Sequence, residues 1–414
     1  MTEIDIAVLD EADTLASCRD LFDLPTQTIY LNGNSLGPLC HASAEAMQRV
    51  VSEEWGQDLI SSWNKHRWID FPLRVGARIA PLLGAAPEQV LCCDSVSVNL
   101  FKLLSAALAL SKAQKPTILS HRDNFPTDLY IAEGLRDLLQ QHGAQAELKL
   151  VATNALEAAI AEGPAVLMLT HVDFRTGRKL DMAKLTRLAH QHGVLVIWDL
   201  SHSAGVIDLA LDDCQVDFAV GCGYKFLNGG PGAPAFVYVA SRHLQQIKQP
   251  LQGWMGHKAP FAFNPDYEAD LGINQLQTGT PSVLAMSALD AALSCFEGVS
   301  PADLNRKASA LSETFLSLVE AEPALAELRL VSPRNPEIRG AQLSFSHDQA
   351  YPISQALIAA GVIVDFRAPN LLRLGFSPLY LSFADIAASV SILNRIIVNN
   401  IYKDQQFSQR KRVT

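Results

Sequence analysis

The sequence predicts an α/β protein with a mostly parallel central sheet covered by helices, and a smaller α+β unit beside it. Three observations carry this. From about residue 90 to 289, short apolar runs alternate with amphipathic helical stretches, the pattern of a parallel sheet with helices on its faces. The runs are apolar throughout, as strands buried on both faces are. The chain has 414 residues, more than the roughly 100–200 of one average domain. The expected division is a large domain over 66–289 and a small domain built from both chain ends, 1–65 and 290–414.

In chain order, the first 65 or so residues look helical, broken by LNGNSLGPL at 31–39. That Asn/Gly/Pro cluster reads as a loop. Strands are then expected at PTILS (116–120), AVLMLT (165–170), VLVIWD (194–199), VDFAVG (216–221) and AFVYVA (235–240). Helices are expected at SVNLFKLLSAALAL (97–110) and MAKLTRLAHQHG (182–193). After about 290 the pattern turns to longer helices with few strands, ending in LLRLGFSPLY at 371–380. The closing QRKRVT reads as a solvated basic tail.

Composition excludes several classes. Hydrophobic residues make up 49% and the formal charge is −10, so a disordered chain and a non-specific nucleic-acid binder are both disfavoured. No apolar run approaches the roughly 20 residues that span a bilayer. The acidic start, MTEIDIAVLDEAD, is unlike a targeting leader. Seven cysteines without a CxxC or a Cys/His ligand pair suggest reduced, buried thiols in a cytoplasmic protein and no metal site.

Chemistry is suggested first by VLVIWD. Its apolar run places Asp199 at the carboxyl end of a central strand, where open α/β sheets bind ligands. By residue type alone, a turn aspartate fits equally well. DLSHSAG then adds His202, and GCGYKFLNGG, after the next strand, offers Lys225 among glycines. An ionised Asp and a Lys from neighbouring strand ends suit pyridoxal phosphate. The amine takes up its aldehyde and the carboxylate keeps its ring nitrogen protonated. The glycines are expected to let the backbone pass close to that flat group. CCDSVSVNLFKLL opens a helix whose free N–H groups suit an anion, although Asp/Ser caps occur at most helices. In HRDNFPTDLY, Phe125 could stack on a planar ring and Asp128 could accept a hydrogen bond from it.

The motifs YLNGNSLG, NFPTD, WDLSHSAG, GCGYKFLNGGPGAPAF, LQGWMGH, TGTPS and RLGFSPLY occur in this order from about residue 30 to 380. As a set, this resembles the kynureninases, pyridoxal-phosphate enzymes of fold type I. The resemblance implies a homodimeric hydrolase with active sites at the subunit interface. It would cleave L-kynurenine, and possibly its 3-hydroxy form, to anthranilate and L-alanine, in tryptophan catabolism and NAD biosynthesis. It implies Lys225 as the Schiff-base lysine and Asp199 as the partner of the pyridine nitrogen, with Phe125 and Asp128 at the ring. Val96 and Ser97 would meet the phosphate, and Thr170, His202 and Tyr224 would complete the pocket. Trp254 and Thr280 match positions that reach the phosphate across a dimer interface. Arg373 would clamp the substrate carboxylate, with Asn34 and Trp63 also on the substrate side. Tyr224 is expected to donate or relay a proton as a neutral phenol. Some members carry Asn where this chain has Thr280. Some also carry a histidine near the aryl ring, where SSWNKHRW offers Trp63 and His66.

Two enzymes of the same fold are rivals. A cysteine desulfurase needs a mobile-loop cysteine and usually a histidine before its lysine; an aminotransferase would lack GNSLG and WMGH. A catalytically silent scaffold would have no need to keep Asp199, Lys225 and Arg373 together.

Overall fold

The computed structural model describes residues 5–410. Residues 1–4 of the acidic start and 411–414 of the basic tail lie outside the described residues. In chain order the strands are β1 (Ile29–Tyr30), β2 (Val90–Cys92), β3 (Thr117–His121), β4 (Glu147–Val151), β5 (Val166–Thr170), β6 (Leu195–Asp199) and β7 (Phe218–Cys222). They continue with β8 (Ala235–Val239), β9 (Arg329–Leu330), β10 (Gln342–Ser346), β11 (Val362–Ile363), β12 (Asp365–Arg367) and β13 (Leu371–Gly375).

A seven-stranded sheet has the order β2-β8-β7-β6-β5-β3-β4. Only β8 runs against the rest, pairing antiparallel with both β7 and β2. All five expected central strands are present to within two residues at each end. Their continuous apolar runs follow from burial on both faces. Leu167, Leu169, Val196 and Trp198 face one core, while Val166, Met168 and Ile197 face the other. Successive side chains alternate across a pleated strand, so each run divides itself between two cores. Burying each such side chain is worth roughly 1.5–3 kcal/mol.

Two strands of this sheet were not expected. β2 is only three residues long. β4 is an edge strand whose residues are mostly half-buried, so ELKLV carries no continuous apolar signal. The C-terminal part also holds more strand than expected. β12-β13-β10-β9 form an antiparallel four-stranded sheet. Its strands are two to five residues long and include buried polar residues such as Gln342 and Ser344, which hides them in the sequence.

The two chain ends meet. β1 pairs in parallel with β11. Asp10 caps the helix Phe383–Val398 by accepting from Phe383 N at 2.7 Å and Ala384 N at 3.0 Å. Arg19 reaches the Tyr380 carbonyl at 2.5 Å. Among the described residues no single helix is long and apolar enough to cross a membrane. Six of the seven cysteines are buried and Cys214 is partly exposed.

Candidate active site

The parallel strands β5, β6 and β7 end at Thr170, Asp199 and Cys222. These three line one cavity of about 320 Å³ with Val96, Ser97, Phe125, Asp128, Phe174, His202, Tyr224 and Lys225. Eight residues expected from the sequence therefore share one space with Lys225. The cavity lies beyond the carboxyl ends of the strands, where an open α/β sheet places its ligand.

Local structure explains each position. The helix Val96–Leu110 starts on Ser95, whose side chain accepts from Val98 N at 3.3 Å. Val96 and Ser97 thus stand at the N-terminus of a 15-residue helix, which favours an anion. Phe125 precedes the helix Pro126–Gln141, with proline at its first position. Its ring meets Phe174 edge-on, centroids 5.2 Å apart. Asp128 is in the first turn of that helix and is almost wholly buried.

The carboxylates are short of positive charge. Asp199 Oδ1 accepts from Ser201 N at 2.8 Å and Ser201 Oγ at 2.6 Å. Burial, then the charge and hydrogen bond of Asp199, push the Asp128 acid well above its ordinary value. Thr170 Oγ1 donates to Asn124 Oδ1, with Asp128 Oδ2 at 3.4 Å. Two abutting carboxyl groups cannot both ionise cheaply without a cation between them.

Lys225 Nζ lies 3.0 Å from His202 Nε2. Burial, then the Lys225 charge, hold His202 well below its usual value, hence neutral. The ammonium therefore donates to Nε2, and the proton of the ring is on the buried Nδ1, which meets no acceptor at good geometry among the described residues. Lys225 Nζ also lies 6.0 Å from the Phe125 ring centroid and 5.9 Å from that of Tyr224. Burial, then the neighbouring Cys222, raise the Tyr224 phenol above its ordinary value, so its hydroxyl is a donor at neutral pH.

The glycines around Lys225 have a different task from the one expected. A Cβ on Gly223 would come within 2.5 Å of the Pro234 carbonyl oxygen and 2.8 Å of the Leu289 side chain. The space is needed by the chain's own packing, not by a group in the pocket. Gly37, in the 31–39 loop, donates its N–H to the Tyr224 carbonyl at 2.8 Å. A Cβ there would lie 2.5 Å from the Lys225 carbonyl oxygen. The LNGNSLGPL loop is thus docked directly onto the Tyr224–Lys225 turn.

Arg373, on β13, is almost wholly buried. It donates to the Phe174 carbonyl at 2.6 Å, to Ser35 Oγ at 2.8 Å and to Asp365. Burial lowers it to about 10, partly offset by Asp365, so it stays charged at neutral pH. Its Nε is buried without a partner among the described residues. Asn34 is buried and donates to Gln342 Oε1 at 3.3 Å. Neither residue lines the cavity itself. Trp63, Trp254 and Thr280 also stand apart from it within one chain. Trp63 packs edge-on against Trp68 at 6.0 Å, Trp254 lies against Phe261 and Phe263, and Thr280 is exposed.

The sequence reading missed Asn124, Phe174 and Ser201. Phe174 was the most visible of them, an aromatic in the polar turn HVDFRTG after a buried strand.

Known proteins fit this arrangement. A family model described as the kynureninase C-terminal domain matches residues 304–393. Kynureninase of Burkholderia mallei (strain ATCC 23344) is 45% identical over 417 residues, covering 100% of both chains. Kynureninase of Pseudomonas fluorescens is 44% identical over the same length, again covering 100% of both. The chain belongs to the kynureninase family. It is a pyridoxal-phosphate-dependent hydrolase that cleaves the Cβ–Cγ bond of L-kynurenine. Among solved structures, a C-DES mutant with glycine covalently linked to its PLP cofactor has a TM-score of 0.78 at 18% identity, covering 91% of this chain and 98% of that one. A cysteine desulfurase from Thermococcus onnurineus NA1 has a TM-score of 0.76 at 16% identity, covering 96% and 100%. These two likenesses show the shared fold, the type I fold of pyridoxal-phosphate enzymes.

The cavity suits that cofactor. Two crowded carboxyl groups call for a protonated ring nitrogen. The Phe125 face is partly open, the helix N-terminus is free for a phosphate, and a lysine amine stands opposite.

Proposed function

We propose that the residues of this cavity divide the hydrolysis of L-kynurenine among them as follows. When bound, pyridoxal phosphate supplies an aldehyde for an amine and a protonated ring that draws electron density from the substrate's α-carbon. Asp199 accepts the hydrogen bond of the ring nitrogen, with Asp128 beside it. Phe125 offers its face to the ring. Val96 and Ser97 bind the phosphate with backbone N–H and hydroxyl groups, and Thr170 orients Asp128. Lys225 Nζ is the amine that would hold the cofactor's aldehyde and, as a free amine, would take the substrate's α-proton as a base. Neutral His202 receives the amine's hydrogen bond and keeps it aimed into the cavity. Tyr224 gives a proton back as a donor. Arg373 fits the substrate α-carboxylate through its planar fork, after exchanging part of its present hydrogen bonding. Asn34 and Trp63 belong to the substrate side.

We propose further that the enzyme works as a cytoplasmic homodimer in tryptophan catabolism and NAD biosynthesis, with Trp254 and Thr280 reaching the partner's phosphate. Neither lines the cavity of its own chain, which supports this. So does an apolar groove of about 890 Å³ beside the lysine turn, lined by Leu36, Leu39, Met47, Pro231 and Leu284. The division into domains of 66–289 and of both chain ends together is part of the same reading; the β1–β11 pair supports it.

The observation that carries the reading is Lys225 on neutral His202, in one cavity with the Asp128–Asp199 pair and a helix N-terminus. The desulfurase alternative is weaker. Cys295 is buried on a short 3-10 helix, Leu293–Phe296, rather than in a mobile loop. The test is incubation of the cofactor-loaded enzyme with L-kynurenine and with 3-hydroxykynurenine. Appearance of the fluorescent aminobenzoate product, with one equivalent of L-alanine, is expected; no product from either sinks the assignment of this cavity.

A further inference from the structure

One buried cation takes no part in the chemistry above. Lys102 is on the helix Val96–Leu110, less than two turns from the end that presents Val96 and Ser97. Its side chain is entirely buried. An ammonium so placed is costly unless each of its donors is met. Lys102 Nζ donates to Asp94 Oδ2 and to the Leu276 carbonyl, both at 2.5 Å, with Asn99 Oδ1 at 3.5 Å. Its three donors thus have three acceptors.

Asp94 is the residue just before the helix cap. It holds a left-handed backbone with φ +48°, which a non-glycine residue adopts uncommonly. Several bonds fix it there. Its carbonyl accepts from Ala235 N at 2.9 Å. Its Oδ1 accepts from Thr278 Oγ1 at 3.3 Å. Asn99 Nδ2 holds the preceding Cys93 carbonyl at 2.6 Å.

The other side of the clamp is the stretch from Leu276 to Thr280. Met255 N donates to the Thr278 carbonyl at 3.2 Å. A Cβ on Gly253 would stand 2.5 Å from Thr278 Cα, so Trp254 begins directly on Thr278. One ammonium therefore joins two pieces of chain: the turn that offers Val96 and Ser97, and the arm that carries Trp254 and Thr280.

We infer that Lys102 is a positioning residue for cofactor-phosphate binding, fastening the phosphate-binding turn to that arm through Asp94. The inference rests on the phosphate site proposed above. A lysine that only filled the core would behave differently. Replacing it by methionine would then cost stability, because Asp94 and the Leu276 carbonyl lose their partner, but would leave cofactor affinity unchanged.

The test uses the full-length enzyme, stripped of cofactor and titrated with pyridoxal 5′-phosphate. The dissociation constant is read from the absorbance of the bound cofactor, beside the thermal midpoint of the stripped protein. Lys102→Met is expected to raise that constant roughly tenfold or more, the effect of losing one charge-assisted hydrogen bond. Activity lost at limiting cofactor should return as cofactor is added. Thr278→Val should shift the constant in the same direction by less. The double variant should fall short of the sum, because the two residues act through Asp94. An unchanged constant in Lys102→Met overturns the inference, whatever the thermal midpoint does. If Lys102→Met does not fold, Thr278→Val and Asp94→Asn decide, and unchanged affinity in both overturns it. Wild-type enzyme that bound no pyridoxal phosphate would instead overturn the reading of the cavity.

Discussion

Asp217 and Asp199 are both almost wholly buried, at opposite ends of the neighbouring strands β6 and β7. Asp217 is at the amino end. It accepts from His190 Nε2 at 2.8 Å, His243 Nε2 at 2.8 Å, Arg242 Nη2 at 2.7 Å and Val196 N at 2.9 Å. Burial works against its charge, yet the hydrogen bonds from His190 and His243 hold it well below the usual carboxylate range. At the carboxyl end, Asp199 has Ser201 as its donor and Asp128 as a competing acid. One end of the sheet has its charges met by the chain; the other is left short by about one cation. A fold that can saturate a buried carboxylate with four donors, and does so 18 residues from Asp199, leaves the shortage where a cationic ring nitrogen would sit.

The largest effect should come from removing the carboxylate at the carboxyl end. Asp199→Asn relieves the crowding with Asp128 but removes the charge that holds the ring nitrogen protonated. We expect kcat for L-kynurenine to fall roughly 10³-fold, the scale of losing a preorganised electrostatic partner, while the thermal midpoint stays level or rises. Steady-state kinetics and a melt check this. A small loss of rate with a large loss of stability would make Asp199 a structural group like Asp217.

Asp217→Asn should do the reverse. It takes an acceptor from two histidines and an arginine and turns an amide N–H toward donors. The expected cost is about 2–3 kcal/mol of stability, with kcat retained by the folded fraction. The pH dependence has a definite sign. The native Asp217 is depressed below its unfolded value of about 3.9, so its contribution is complete above that pH and is lost as pH falls below it. Wild type should therefore lose more stability than Asp217→Asn on acidification from pH 5 toward pH 3, in urea melts at each pH. Parallel acid limbs would remove Asp217 from the account.

Tyr224→Phe bears on the undersatisfied end alone. Burial and Cys222 keep the phenol protonated, so it can give a proton but not take one at neutral pH. Loss of a general acid predicts a rate decrease of about 10²-fold with cofactor affinity nearly kept, measured by single-turnover kinetics and by cofactor titration. Equal losses in both would make it a cofactor ligand only.

How far the sequence displays this contrast follows from burial. The strands β5 to β8 are buried on both faces, so their apolar runs are continuous and their ends, including Asp199, can be placed to within a residue or two. Lys225 and Asp128 stand out because a charged group beside such runs needs a reason. Short or half-exposed strands such as β2 and β4 send no such signal. Neither do β10 and β13, whose inward positions include Ser344 and Arg373. Phe174 and Ser201 were illegible for another reason: their roles depend on where a turn folds back. The glycines near Lys225 misled because composition shows that space is needed, but not which atoms need it. Asp217 was missed entirely, since its partners His190, Arg242 and His243 come from two other segments.

The smallest effect is expected at Ser201, which gives Asp199 a little of what Asp217 has in abundance. Its hydroxyl donates to Asp199 Oδ1 at 2.6 Å, beside its own N–H at 2.8 Å. Ser201→Ala keeps the N–H bond and the turn, and removes one neutral hydrogen bond worth about 1 kcal/mol. If the Asp199 carboxylate is oriented by the chain before any ring nitrogen arrives, kcat/KM should fall by about fivefold. Stability should hardly change, because the freed oxygen still faces the cavity. If the bound cofactor alone orients Asp199, kcat/KM should stay at the wild-type value. The loss in cofactor affinity should then be nil as well. Measured together, these two numbers separate a carboxylate the fold has aimed from one that its ligand aims.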